Sequence, residues 1–261
     1  MQVVEFSLRI LPEIPGTLTI IIPTPSISSP HLKNCLSSIS RSTLAENTRI
    51  LVVISSGDEF NFSRSLNTGI NLSSNSDILI LNDDCILSEN SIRLLLEAKE
   101  EGVGIIGSVL RFPNHEVQHN GGIVEYNFLK ILLRDTKRKA PFFSVRSKLR
   151  AIMEGIKYVR FYQDFLRVPR RLDFVTGALM LIPENIVPKV GLFDERFKNG
   201  FEDVDYCLRV KQRGLKIKMI DAIVTHKEHQ TLKGSNSNFF ENLKYFNSKW
   251  HTKTLSLLKK V

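Results

Sequence analysis

An α/β fold, with a mostly parallel sheet and helices on both of its faces, is what the sequence predicts, and three observations predict it. Through the first hundred residues, short apolar runs alternate with amphipathic stretches of helical period. The runs themselves (LTIII at 18–22, ILVVI at 50–54, ILIL at 78–81) are unbroken, as in strands buried on both faces. The third run ends abruptly on Asn82-Asp83-Asp84. That placement delivers carboxylates to the carboxyl edge of a parallel sheet, where open α/β sheets bind ligands. Adjacent acids repel and serve no core, so a hard cation such as Mg²⁺ or Mn²⁺ is a reasonable counter-charge; the plainer alternative is a polar turn closing a strand.

Each element follows from its local pattern. Leu18–Ile22 is a buried-type strand broken by Pro23-Thr24-Pro25, and Ser28 or Ser29 caps a helix that carries Leu32, Leu36 and Ile39 on one face. Ile50–Ile54 is the second strand. Phe62, Leu66 and Ile70, at i, i+4 and i+8, mark a helix. After the Ile78–Leu81 strand, Ser88 sits where an N-cap belongs, ahead of Ile92, Leu95 and Leu96. Val103–Ile106 is the fourth strand, and the alternation implies right-handed βαβ units. Beyond Ser108 the pattern loosens: VLRF and VQHNGGIVEY suggest edge strands, and Val145, Leu149, Ile152, Met153, Ile156 and Val159 fall on one helical stripe. Phe174–Ile182 reads as a strand, Glu202–Arg213 as a helix, Ile217–Val224 as two short strands, and Phe239–Trp250 as a final amphipathic helix.

Composition narrows the class. The 261 residues suffice for one sizeable domain, no apolar run approaches the ~18 residues of a membrane span, and the amino-terminal MQVVEFSLRI lacks a signal-peptide layout. The expectation is a cytoplasmic protein. Cys35, Cys85 and Cys207, odd in number and scattered, fit reduced thiols. The net charge of +9 is concentrated: residues 127–172 hold thirteen basic and three acidic side chains, so the rest of the chain is nearly neutral. A local excess of this kind points to a local anionic partner. No nucleic-acid reading motif or aromatic stacking platform accompanies it, so no nucleic-acid partner is expected.

Four stretches in register then resemble the inverting glycosyltransferases of family 2: LTIIIPT; FNFSRSLNTGI with LILNDDC; VTGALMLIPENIVPKVGLFDERF; and GFEDVDYCLRVKQRG. Two weaker ones, VQHNGG and THKEHQTLKG, are similar to the branch that includes rhamnosyl- and related polysaccharide-building transferases. The resemblance covers roughly residues 17–126 and 173–251. It implies a GT-A fold, a Rossmann-like sheet with the basic segment as a helical insertion. The expected layout is a single domain, 1–261, with a nucleotide-sugar-binding half at 17–107 and an acceptor and catalytic half at 108–251 that includes 127–172.

The chemistry implied is a single displacement on a nucleotide-diphosphate sugar, with a cation for the leaving diphosphate and a base for the acceptor hydroxyl. The resemblance gives Asp84 the role of metal ligand (Mn²⁺ or Mg²⁺) and places Asp83 nearer the ribose or a water on the metal, with Asn82 standing where the family has its first acid. It makes Asp203 the base and Glu202 the reserve; acids in a first helical turn otherwise answer the helix dipole, the reading preferred for Asp205. A third metal ligand falls on His226 or His229. Gly177 lies in the strand under the donor sugar, Pro23 and Thr24 close the first strand, Asn67 and Gly69 position the helix facing the nucleotide, and Arg64 either reaches the diphosphate or is solvated. Where the family has an acid after the second strand to read the base, this chain has Ser55 and Ser56.

The acceptor expected is a glycan or a lipid-linked sugar. The basic, greasy segment 127–172 suits an anionic membrane surface, which would make the protein peripheral on the cytoplasmic face; packing on the domain or on a second subunit, in a homo-oligomer, is the alternative. A protein that binds a nucleotide sugar or glycan without turnover is the competing function.

Overall fold

The computed structural model describes residues 1–8, 14–43, 45–57, 60–73, 75–124, 159–161, 172–227 and 238–250. In chain order these form β1 (Gln2–Leu8), β2 (Ile14–Thr24), α1 (Pro30–Ile39), β3 (Ala45–Ile54), α2 (Phe62–Leu72), β4 (Asp77–Leu81), β5 (Cys85–Leu87) and α3 (Ser91–Glu97). There follow β6 (Val103–Arg111), β7 (Val117–His119), β8 (Gly122–Val124), β9 (Val159–Phe161), β10 (Leu179–Ile182), α4 (Val187–Val190), α5 (Glu202–Gln212), β11 (Lys216–His226) and α6 (Phe239–Trp250).

One mixed sheet runs β1-β3-β2-β4-β10-β6-β11-β5, with β7 beside β6, and β8 pairs with β9 in a small second sheet. The parallel pairs are β2 with β3, β2 with β4, and β6 with β11. β10 enters antiparallel between β4 and β6, so strands from late in the chain complete the edge on which Asn82-Asp83-Asp84 sits.

The apolar runs are unbroken because both faces of the sheet are covered. Leu18, Ile20 and Ile22 of β2 pack with Leu32, Cys35 and Ile39 of α1 and with Ile92 and Leu95 of α3. Ile21 and Ile80 face the other way, with Leu66 and Ile70 of α2, Val204 and Leu208 of α5, and Leu243, Phe246 and Trp250 of α6. α2 reaches its strand through Gly69, where a Cβ would stand 2.6 Å from a methyl of Ile21. α1 is capped by Ser29, whose hydroxyl accepts the N–H of Leu32, and α2 by Asn61, whose side chain accepts that of Arg64.

Several expectations are corrected. Ser88 is not the cap of α3: Asn90 holds that position, and the N–H of Ser88 donates instead to Ser91 Oγ. Phe174–Ile182 is not one strand, because a turn at Gly177-Ala178 leaves Phe174 with an isolated bridge to Gly122. Val159 lies on a strand, β9, rather than on a helical stripe. Residues 127–158 and 162–171 of the basic segment, with the rest of that stripe, lie outside the described residues, as does His229. The two short strands expected at 217–224 are one, β11, interrupted by a bulge between Ile220 and Val224. VLRF is the end of β6 rather than a separate edge strand.

Asp205 does more than answer a dipole. Fully buried in the first turn of α5, it pairs with Arg209 at 2.9 Å and Lys249 at 2.7 Å and accepts from the Trp250 indole N–H at 2.9 Å. It thereby ties α6 to the back of α5. Removing one member of such a buried group typically costs ~3–5 kcal/mol, since a charge is left unpaired.

Candidate active site

The acid loop after β4 is fastened at each residue. The Asn82 N–H donates to the Ala178 carbonyl at 2.9 Å, the Thr24 hydroxyl donates to Asp83 Oδ2 at 2.7 Å, and the Lys227 N–H donates to the Asp84 carbonyl at 3.2 Å. The Asp83 and Asp84 side chains are both buried. Ser55 lies alongside, its N–H on the Thr24 carbonyl at 3.0 Å, and Pro23 is buried opposite Val53. So Pro23, Thr24, Ser55, Asn82, Asp83 and Asp84 gather at the ends of β2, β3 and β4.

His226 reaches this loop from the far end of the chain. The bulge in β11 is built around Ile223, whose φ of +55° is rare for a β-branched residue. Ser91 Oγ donates to the Ala222 carbonyl and Ser108 Oγ accepts the Ala222 N–H, which pins the bulge. Past it, β11 realigns so that His226 stands opposite Cys85 on β5. His226 Nε2 is then 3.1 Å from Asp84 Oδ1, and Nδ1 is 2.6 Å from Gln118 Oε1. Burial alone would push the Asp84 carboxyl up, but the adjacent His226 ring, with a smaller share from His31, holds it below the ordinary carboxylate range.

One donor atom each from Asp84, Cys85 and His226 lie within 4.8 Å of one another. Burial, reinforced by the Asp84 charge, keeps Cys85 a thiol, and it donates to the Ala178 carbonyl. That leaves a carboxylate oxygen and an imidazole nitrogen facing each other. Two adjacent ligands of a cation with bonds of ~2.1 Å stand ~3 Å apart, so the pair fits a divalent ion of the Mg²⁺ class. Among the described residues, nothing donates a hydrogen bond to Asp84 Oδ1, which has no solvent access.

The second group of carboxylates opens α5. Asp203 Oδ2 accepts the Gly177 N–H at 2.9 Å and Oδ1 the Val204 N–H at 2.8 Å. Gly177 is tight here: a Cβ would stand 3.2 Å from the Phe62 ring and 3.5 Å from Asp203 Cβ. Glu202 is buried, accepts the Gly200 N–H, and is pushed up to about 8, first by burial and then by the Asp203 charge. Burial also raises Asp203, but the N–H groups of Gly177 and Val204 oppose the rise. Two neighbouring buried carboxyls do not both ionise cheaply; burial and the Asp203 charge favour the proton on Glu202, and Asp203, partly open to solvent, is the member better placed to ionise.

The turn ahead of them is strained. Asn199, Gly200 and Phe201 take φ of +57°, +148° and +71° in succession, and a phenylalanine in the left-handed region costs on the order of 1–3 kcal/mol. The Asn199 amide holds the turn to α2, accepting the Phe62 N–H and donating to the Phe60 carbonyl, while the Phe201 ring packs on Phe246.

A single dipeptide joins the two groups. Gly177 donates to Asp203, and the next residue, Ala178, accepts from Asn82 and Cys85. Acid loop and acid pair are therefore set against one another by one rigid turn.

Arg64 and Asn67 face elsewhere. The buried amide of Asn67 is committed to the N–H and carbonyl of Phe193 and to Glu195. Arg64 is exposed and pairs with Glu195 at 3.2 Å. Gln118 was not among the expected residues; VQHNGG drew notice, but a partner on a distant strand defines its role.

Residues 44–242 match the family model described as glycosyltransferase-like family 2. The chain belongs to that family. Its fold is GT-A: a solved structure of GalNAc-T7 with UDP, GalNAc and Mn²⁺ aligns over 89% of this chain and 48% of its own, at 12% identity and a TM-score of 0.56. The mannosyltransferase PcManGT from Pyrobaculum calidifontis, in complex with GDP-Man and Mn²⁺, aligns over 84% of this chain and 59% of its own, at 11% identity and a TM-score of 0.50. The family 2 chain thus spans about half to three-fifths of those proteins' lengths. No curated protein matches it by sequence. Within the family 2 domain, the matched span contains the acid loop, His226 and the Glu202-Asp203 pair.

Proposed function

We propose that this family 2 chain is a metal-dependent inverting glycosyltransferase, moving a sugar from a nucleotide-diphosphate sugar to a hydroxyl of a glycan or lipid-linked acceptor. The observation that carries the reading is the Gly177-Ala178 turn, which holds a cation-ready pair, Asp84 and His226, in fixed relation to an oriented base, Asp203. When bound, a divalent cation of the Mn²⁺ or Mg²⁺ class supplies positive charge against the departing diphosphate. Asp84 and His226 hold it, and Asp83, fixed by Thr24, lies on the ribose side. Asp203 takes the acceptor proton; its two backbone N–H bonds fix the carboxylate and leave lone pairs for the hydroxyl. Mn²⁺ in the complexes of GalNAc-T7 and PcManGT supports the choice of metal.

The test is release of free nucleoside diphosphate from a panel of nucleotide sugars. Release is expected with Mn²⁺, lost in EDTA and restored by excess metal. Binding without release for every donor and acceptor would instead make the protein a nucleotide-sugar binder, the reading that Asn82 favours.

We also propose that segment 127–172 binds anionic membrane surfaces, on the strength of its charge and apolar content. Among the described residues no helix is long and apolar enough to cross a membrane. Co-sedimentation with anionic liposomes at low salt, weakened by salt, is expected. Protein left in the supernatant at low salt would count against surface binding.

A further inference from the structure

Gln118 grips His226 at two points. Its Nε2 donates to the His226 backbone carbonyl at 3.3 Å, and its Oε1 lies 2.6 Å from the ring Nδ1. The first contact decides the second. Only the –NH₂ end of an amide can face a carbonyl, because a reversed Gln118 would set oxygen against oxygen. The oxygen end therefore faces the ring, and Nδ1 must carry the hydrogen.

In the neutral ring, Nε2 is then a bare lone pair. It is aimed at Asp84 Oδ1, 3.1 Å away. Two electron-rich atoms at that distance repel unless a second ring proton or a cation lies with them, and among the described residues no other group donates to Oδ1. The side-chain amide of Asn82, 3.5 Å from Nε2, is too distant to replace it. Geometry alone, from β7 to β11 to the acid loop, fixes this arrangement.

We propose that Gln118 is a positioning residue: by fixing the hydrogen of His226 on Nδ1, it presents Nε2 and Asp84 as a ready pair of donors to a divalent cation. The inference rests on the metal-dependent reading above and adds a residue to it. Outer partners of ligating histidines typically contribute 10–100-fold to metal affinity.

The experiment has two readouts on the full chain, neither of them turnover. The first is ¹⁵N NMR of His226 in metal-free protein at a pH where the ring is neutral, assigned with His226→Gln. The wild type is expected to show the Nδ1–H tautomer, and Gln118→Leu a mixture. An Nε2–H tautomer in the wild type overturns the inference whatever the variants do. The second is Mn²⁺ binding followed by electron paramagnetic resonance. Gln118→Leu should bind about 10–100-fold more weakly, whereas Gln118→Glu, which loses the bond to the His226 carbonyl but still accepts from Nδ1–H, should keep the wild-type tautomer. A folded Gln118→Leu with unchanged affinity overturns the inference. So does an Nε2–H tautomer in folded Gln118→Glu, which keeps the test decisive if the leucine variant fails to fold. Absence of Mn²⁺ binding by the wild type would strike the metal reading itself and with it the donor-pair part of this one, while the tautomer result would still decide what Gln118 does to the ring.

Discussion

Asp84→Asn is expected to abolish metal-dependent turnover while leaving a folded protein. Asparagine keeps the volume of Asp84 and can still bond to His226, so the buried pair is not broken outright, as Asp84→Ala would break it. What disappears is the anionic oxygen. Charge stabilisation by a bound cation is worth several kcal/mol at the transition state, or ~10³-fold in rate at 1.4 kcal/mol per decade. The check is nucleoside diphosphate release across a Mn²⁺ titration, with thermal unfolding run alongside. Wild-type turnover by the variant in excess EDTA would remove Asp84 from the mechanism.

The next largest effect is on the base. Asp203→Asn retains the shape that accepts from Gly177 but loses basicity, so kcat should fall by roughly 10²–10⁴ with donor binding little changed. Glu202→Gln, replacing a group that already holds its proton, should retain most of the activity. The two are separable by pH as well. The Glu202 carboxyl binds its proton more tightly in the folded chain, at about 8, than at its ordinary 4.5. Its contribution to stability is therefore full below about 4.5 and is lost as pH rises through about 8. Glu202→Gln should flatten that part of the stability–pH curve. If Glu202→Gln is inactive and Asp203→Asn is not, the roles are reversed.

Much of this was legible in the residues because it is local. β2 and β4 are continuous apolar runs, and the faces of α2, α5 and α6 repeat at the helical period. The acid loop and the acid pair were visible because charge at the end of an apolar run needs a reason. What the sequence hid is set by partners far along the chain. β5 has only three residues and exists through β11. β1 lacks an unbroken apolar run, being an edge strand on β3. Gln118 differs from any other glutamine only by its contact with a histidine 108 residues away. The partners of Asn67 were hidden in the same way: its buried amide is satisfied by the Phe193 backbone, 126 residues away.

The insertion of β10 beside β4 also governs when the protein can become whole. Leu81 pairs with Leu179, and Cys85 with His226. On a ribosome, the Ile78–Leu81 strand emerges long before those partners, so one of its edges stays open through much of synthesis. Loops of that length close slowly, which places the edge that carries the acid loop among the late events of folding rather than in its nucleus. A product cut short before β11 would keep Asp84 without His226 and β5 without its partner. Such a chain carries exposed, unpaired β structure and a hazard of aggregation, so translation has to pass β11 before the site exists at all.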